Sequence, residues 1–273
     1  MARKRRKGGW KALFGLLSIG VVLGCALYLF WLPDVRPLKR SNPTTTAFIV
    51  RRQRLAAAEG KPFKPQLAWV PWARISEHLK HAVLVAEDDM FYRHDGVDWE
   101  GTRAAFEKDW KLKKLAFGGS TITQQVARNL YLSPSKNPLR KIKEVFIAWR
   151  LEKELGKRRI FEIYLNIAEW GRGIYGAEAA ARAYFGKPAS ELTADEAVAM
   201  AVVLPSPRRH NPAKRGRYVE RNMARVMGRM RASGFLPEEA PASDEIPDLE
   251  EVPISHDEEG DAASVVPAAQ AVP

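Results

Sequence analysis

The sequence predicts a mainly α-helical domain held on one N-terminal transmembrane helix. Residues 12–32, ALFGLLSIGVVLGCALYLFWL, carry no charge over 21 positions. Beyond them, apolar residues recur at helical spacing in several runs bounded by caps and prolines. No alternating strand pair and no internal repeat stands out.

At about 1.5 Å per residue, the 12–32 segment spans the roughly 30 Å hydrocarbon core of a bilayer. Residues 1–11 precede it with Arg3, Lys4, Arg5, Arg6, Lys7 and Lys11, which keeps that end cytoplasmic. Tyr28 and Trp31 suit the opposite interface. A cleaved signal peptide fits less well, because the run is long and no Ala-x-Ala site follows. Cys25, the single cysteine, closes a Val-Leu-Gly-Cys lipoprotein pattern, but seven more apolar residues follow it. One cysteine allows no internal disulfide, so the fold stands on packing.

Residues 33–66 read as a juxtamembrane connector and 67–235 as the folded domain. Ile75, Leu79, Ala82, Val83 and Ala86 give one helical stripe, and residues 93–125 are polar and glycine-rich. Asn137 caps a helix with Pro138 at its first position; Ile142, Val145, Phe146 and Trp149 line one side of it, ending near Gly156. Further helices are expected from Lys157 to about Trp170, through the alanines to Phe185, over 194–204 behind a Thr193–Glu196 capping box, and from Arg215 to Ser233. Residues 236–273 are acidic, rich in Pro and Ala, and expected to be disordered.

The net charge of +12 conceals an asymmetry. From Pro237 onward the chain carries 11 Asp/Glu and no Lys/Arg, so residues 1–236 carry +23, of which +17 lies beyond residue 11. A field of that size implies an anionic partner: nucleic acid, a membrane surface or a phosphorylated substrate. The export signal and the acidic tail disfavour nucleic acid.

Three segments carry candidate chemistry. Glu87, in AEDDMFYRHDGVD, follows Val83 by four residues and Leu84 by three, so it projects toward apolar surface. Burial there raises a carboxyl pKa toward what a general base or acid needs. A structural ion pair with Arg93 or His94 is the alternative. Ser120, Thr121, Gln124 and Gln125, in GGSTITQQ, offer hydroxyl and amide donors for sugar or phosphate oxygens, or merely cap a helix. In Arg140-Lys-Ile-Lys-Glu144, Glu144 lies opposite the Ile142–Trp149 stripe on a helical wheel. It is either a solvated residue paired with Arg140, or an acid ordering Arg128, Lys136, Arg140, Lys141 and Lys143 around a pyrophosphate, or holding a divalent ion.

Together these segments resemble glycosyltransferase family 51, the glycosyltransferases of peptidoglycan synthesis, over about Val83 to Pro212. EDDMFYRHDGVD, GGSTITQQ, RKIKE and KRRIFEIYLN (Lys157 to Asn166) stand in the family's order. GRGIYGAEAAARAYFGK and AVVLPSPRRHNP continue in the manner of its monofunctional members. The resemblance implies a lysozyme-like, two-lobed helical domain at the outer face of the bacterial inner membrane, with a lipid-linked glycan chain as donor and lipid II as acceptor. It implies Glu87 as general base and a β-1,4 link formed with loss of undecaprenyl pyrophosphate. It further implies donor-phosphate roles for Arg128, Lys136, Lys143 and Glu144, cleft positions for Gln124, Gln125 and Asn166, and assistance by Mg²⁺ or Mn²⁺. Lys136 departs from the arginine common among relatives, losing bidentate geometry but keeping charge.

A lytic enzyme with Glu87 as general acid would share the fold without needing the Arg140–Glu144 cluster. An anchored scaffold recruiting other wall-synthesis enzymes would not need Glu87. Ser133-Pro-Ser-Lys136 fits the Ser-x-x-Lys pattern of transpeptidases, but no Lys-Thr-Gly follows, so the chain reads as monofunctional.

Overall fold

The structure, a computed structural model, describes residues 9–112, 119–133 and 137–237. The acidic tail beyond 237 therefore lies outside the described residues. The described chain is mainly helical, as expected.

Helix α1 runs from Gly9 to Phe30, ending two residues before the apolar segment does. Among the described residues no helix is long and apolar enough to cross a membrane; in α1 the side chains are described only over 13–28. Those side chains lie open, with Leu16 at 68% and Leu27 at 71% exposure. Helix α2 (Ala47–Ala58) forms within the stretch read as a connector, capped by Thr46 accepting from the Ile49 N–H.

Helix α3 (Glu77–Glu87) buries Leu79, Ala82 and Val83 completely, the stripe its sequence displays. Helix α4 (Trp99–Leu112) lies within the stretch read as polar and glycine-rich, and helix α5 (Ile122–Tyr131) starts at its end. Helix α6 (Pro138–Glu154) begins at the Asn137 cap, whose Oδ1 accepts from the Leu139 N–H at 2.9 Å. Helix α7 (Lys157–Ile167) ends before Trp170, because the chain turns into strand pairing.

A three-stranded sheet contradicts the expectation of no strand pair. Strands β1 (Gln66–Leu67), β2 (Glu169–Gly171) and β3 (Ile174–Tyr175) lie in the order β1-β3-β2. Each is two or three residues long, too short for alternation to be read. Gly176 follows at φ 85°, where an added Cβ would lie 2.6 Å from the Asn166 carbonyl oxygen, so the turn into helix α8 (Ala177–Phe185) requires glycine.

Helix α9 (Ala194–Val203) forms the centre. It starts at the Thr193–Glu196 capping box and from Ala197 onward is apolar on all sides, with Val198, Met200 and Val203 fully buried. A helix apolar all round belongs inside, and each such side chain stabilises the fold by about 1.5–3 kcal/mol. It packs against α3 and against helix α10 (Arg217–Ala232), while α5 packs against α6 and α7. The C-terminus of α3 thereby faces the N-terminal half of α5.

Candidate active site

Glu87 is the last residue of α3 and is half-buried. Burial pushes its carboxyl above the ordinary value, the neighbouring Asp88 adds to that, and the Gln125 hydrogen bond and Arg128 oppose it. Its partner is neither Arg93 nor His94: Gln125 Nε2 donates to Glu87 Oε2 at 2.7 Å. Gln125 Oε1 in turn accepts from the Tyr164 hydroxyl at 3.2 Å. Burial, with the Glu87 charge, holds that phenol well above its usual range. Gln125 therefore fixes the carboxylate from a side chain that α7 orients.

His94 pairs instead with Asp88, its Nε2 lying 3.0 Å from Oδ1. Asp88 Oδ2 accepts from the Ile122 N–H at 2.9 Å, so the residue beside Glu87 also caps α5. Thr121 and Gln124 complete that start as a capping box, and Thr121 Oγ1 donates to the Gly96 carbonyl at 2.6 Å. Thr121 and Gln124 are 3% and 2% exposed. Both take part in the helix start: the Thr121 N–H donates to Gln124 Oε1 at 3.1 Å and the Gln124 N–H to Thr121 Oγ1 at 3.2 Å. The GGSTITQQ segment splits by depth: its buried members build the helix start, and Ser120 and Gln125 face outward.

Ser120 joins the second cluster. Lys141 Nζ donates to Ser120 Oγ at 2.7 Å and to Glu144 Oε1 at 2.7 Å. Arg140 donates to Glu144 Oε2 at 2.7 Å. Glu144 is 0% exposed, so the solvated reading is wrong. The faces of α6 are inverted from the wheel: Ile142, Phe146 and Trp149 are 44%, 39% and 42% exposed, while Glu144, Ile147, Ala148 and Leu151 point inward. The carboxylate is tolerated there because two cations satisfy it.

Arg128 on α5 is the cation whose charge acts on both Glu87 and Tyr164. Lys143 is not brought to this cluster; its ammonium sits 4.2 Å from the centre of the Tyr28 ring. Asn166 is fully buried. It accepts from the Val70 N–H at 2.8 Å and donates to the Val70 and Glu162 carbonyls at 2.9 and 2.8 Å. Both amide hydrogens are thus committed to backbone, and Asn166 clamps the Val70 segment to α7. Lys136 lies outside the described residues, as does most of the Ser133–Lys136 pattern.

A metal held by Glu144 does not fit, because both its oxygens face cations. Among the described residues no three His, Cys, Asp or Glu side chains gather to hold an ion. Two further residues escaped sequence reading. Tyr164 sits in KRRIFEIYLN without any local sign that it would reach Gln125. Tyr218 on α10 feels the Glu87 charge and stacks on His210 at 3.9 Å, beside a pocket of about 380 Å³ that Arg209, Lys214 and Arg217 also line.

The sequence matches the transglycosylase family model over residues 53–231. A biosynthetic peptidoglycan transglycosylase of Methylobacillus flagellatus is 43% identical over 226 residues, covering 81% of this chain and 95% of the relative. Those of Janthinobacterium sp. (strain Marseille) and Azoarcus sp. (strain BH72) are 43% and 44% identical, over 82% and 81% of this chain and 97% and 96% of theirs. With the match covering well over half its length, the chain belongs to the transglycosylase family.

Proposed function

We propose that the chain is a monofunctional peptidoglycan glycosyltransferase that joins lipid-linked disaccharides into β-1,4 glycan strands. One observation carries this reading. A hydrogen-bonded path runs from the carboxylate of Glu87 through Gln125, whose Nε2 lies 3.5 Å from the Ser120 carbonyl oxygen, to Ser120, Lys141, Glu144 and Arg140. A base made stronger by burial thus shares one framework with a group of cations. A lytic enzyme needs the first and not the second. The names of the relatives support the same activity.

In this proposal Glu87 takes the proton from the 4-hydroxyl of the lipid II acceptor. That oxygen bonds to the anomeric carbon of the donor sugar, from which undecaprenyl pyrophosphate departs with the bonding pair, inverting the centre. Arg128, Arg140 and Lys141 offset the charge that develops on the pyrophosphate. Glu144 is a positioning residue that holds Arg140 and Lys141. Mg²⁺ or Mn²⁺ would take its ligands from the pyrophosphate oxygens rather than from a protein cage, as Mg²⁺ commonly does. The helical domain would be lysozyme-like, with a larger head and a smaller lobe facing the membrane.

Residues 12–32 serve in this reading as a single-pass anchor in the bacterial inner membrane, with residues 1–11 cytoplasmic and the catalytic domain outside. Support comes from the uncharged length of the segment and from α6, which packs beside α1 with its apolar face open.

The test is polymerisation of lipid II by the purified full chain in detergent with Mg²⁺, wild type beside Glu87→Gln. Glycan strands from wild type alone are expected. Cleavage of preformed glycan by wild type, without synthesis, would establish the lytic reading instead. Neither activity from a folded chain would favour a scaffold.

A further inference from the structure

Helix α10 carries its charge as a ladder. Arg217, Arg221, Arg225 and Arg229 recur every four residues and all are exposed, so they follow one another along one side of the helix. Like charges at that spacing destabilise a helix, and Arg217 sits in the first turn, where the helix dipole disfavours a cation. Glu220 is the single acid of α10. Among the described residues no carboxylate forms an ion pair with Arg217, Arg221 or Arg225, whereas Arg229 Nη2 lies 2.8 Å from Asp89 Oδ2. Asp89 follows Glu87 by two residues, so the last rung is tied to the turn after the catalytic helix α3. The chain leaves α10 through Pro237 into residues 238–273, which lie outside the described residues and carry 11 Asp/Glu and no Lys/Arg. Asp244, Glu245, Asp248, Glu250 and Glu251 crowd five of those acids into one short stretch.

We propose that residues 244–251 fold back antiparallel to α10 and dock on the Arg217, Arg221 and Arg225 ladder. The reach is sufficient: α10 has 16 residues, about 24 Å at 1.5 Å each, and about seven extended residues span that length. Residues 238–244 alone therefore carry the chain back to the first rung. Charge is complementary, since carboxylates pair with guanidinium forks in charge-assisted hydrogen bonds, and each pair formed relieves the repulsion between neighbouring rungs. Tethering favours this occupant over an anion from solution, because a segment joined to its own site is present there at about millimolar effective concentration. Docked in this way, the segment keeps other polyanions off the face of α10 that borders the catalytic helix.

Double electron–electron resonance on the full chain in detergent tests this, with spin labels at Ala213→Cys, an exposed position before α10, and Ser255→Cys, in a Cys25→Ser background. A narrow population of distances shorter than the roughly 24 Å length of α10 is expected. Arg217→Gln/Arg221→Gln/Arg225→Gln should move most of it to longer, broader distances, as should salt at about 1 M, where the Debye length is about 3 Å. Replacing the five acids of 244–251 by their amides should do the same, and that variant alters only residues beyond the helical domain, so its result does not depend on the domain tolerating the change. A broad distribution in the parent chain, unchanged in both charge variants, overturns the proposal. Fewer phosphatidylglycerol molecules retained by the arginine variant in native mass spectrometry, with the spin–spin distances unmoved, would assign the ladder to lipid headgroups and overturn it equally.

Discussion

Replacing Glu144 by Gln separates two pictures of α6 that differ severalfold in energy. The substitution keeps size and one acceptor oxygen but presents an amide N–H₂ to one of the two cations. Glu144 is fully buried, whereas the Arg140 and Lys141 side chains are 15% and 44% exposed. A hydrogen bond to a charged group contributes about 1.5–3 kcal/mol. The Lys141 bond is discounted to roughly 0.5 kcal/mol because its ammonium can turn to water. Loss of the charge should therefore cost about 2–3 kcal/mol, below the roughly 3–5 kcal/mol found when a wholly buried pair is broken. For a domain of this size, about 2–4 °C per kcal/mol follows, a fall in Tm of about 4–12 °C. Thermal unfolding of the full chain in detergent, followed by circular dichroism, reads it directly. A solvated Glu144 with an i,i+4 partner would lose only about 0.2–0.5 kcal/mol. A change in Tm under about 2 °C would therefore refute the buried arrangement. Lipid II polymerisation per folded molecule should fall at least about tenfold in the same variant, since Arg140 and Lys141 lose the group that positions them.

Glu87→Gln should leave the fold intact and lower polymerisation by about 10²–10⁴-fold, the usual contribution of a general base; a folded variant that still makes strands would rule Glu87 out. Because burial raises the Glu87 pKa and the carboxylate is the active form, the acidic limb of kcat/KM should lie above the ordinary carboxylate range. The same shift means the folded state binds the extra proton, so its contribution to stability falls as pH rises from the unfolded Glu value through the folded one. Urea midpoints measured across that window should show the fall in wild type and not in Glu87→Gln. Gln125→Ala removes a donor that favours the charged form, so its acidic limb should move to higher pH; an unmoved limb would mean that Gln125 does not act on Glu87. Asn166→Ala deletes three hydrogen bonds, two of them buried, and should destabilise the fold by about 2–4 kcal/mol. Its KM for lipid II should stay unchanged, and a raised KM would make Asn166 a substrate contact.

Local signals determined much of this protein by themselves. The Thr193–Glu196 and Asn137–Pro138 caps, the apolar run of α9 from Ala197 and the stripe that buries α3 are short-range patterns, and each appears where the residues place it. The inward aim of Glu87 belongs with them, since helical spacing from Val83 and Leu84 suffices to show it. Tertiary structure decided what spacing leaves open. On α6 the wheel displays an apolar stripe and a charged face, yet burial follows the neighbour, and α5 meets the face that carries Glu144. The Gln125 partner of Glu87 is 38 residues away, and the Val70 partner of Asn166 is 96 away. Strands of two or three residues pair across more than a hundred positions in β1 and β3. Amphipathicity shows that a helix has two faces; only the helices packed against it choose which face goes inside, because a buried charge is stable wherever its partners are delivered to it.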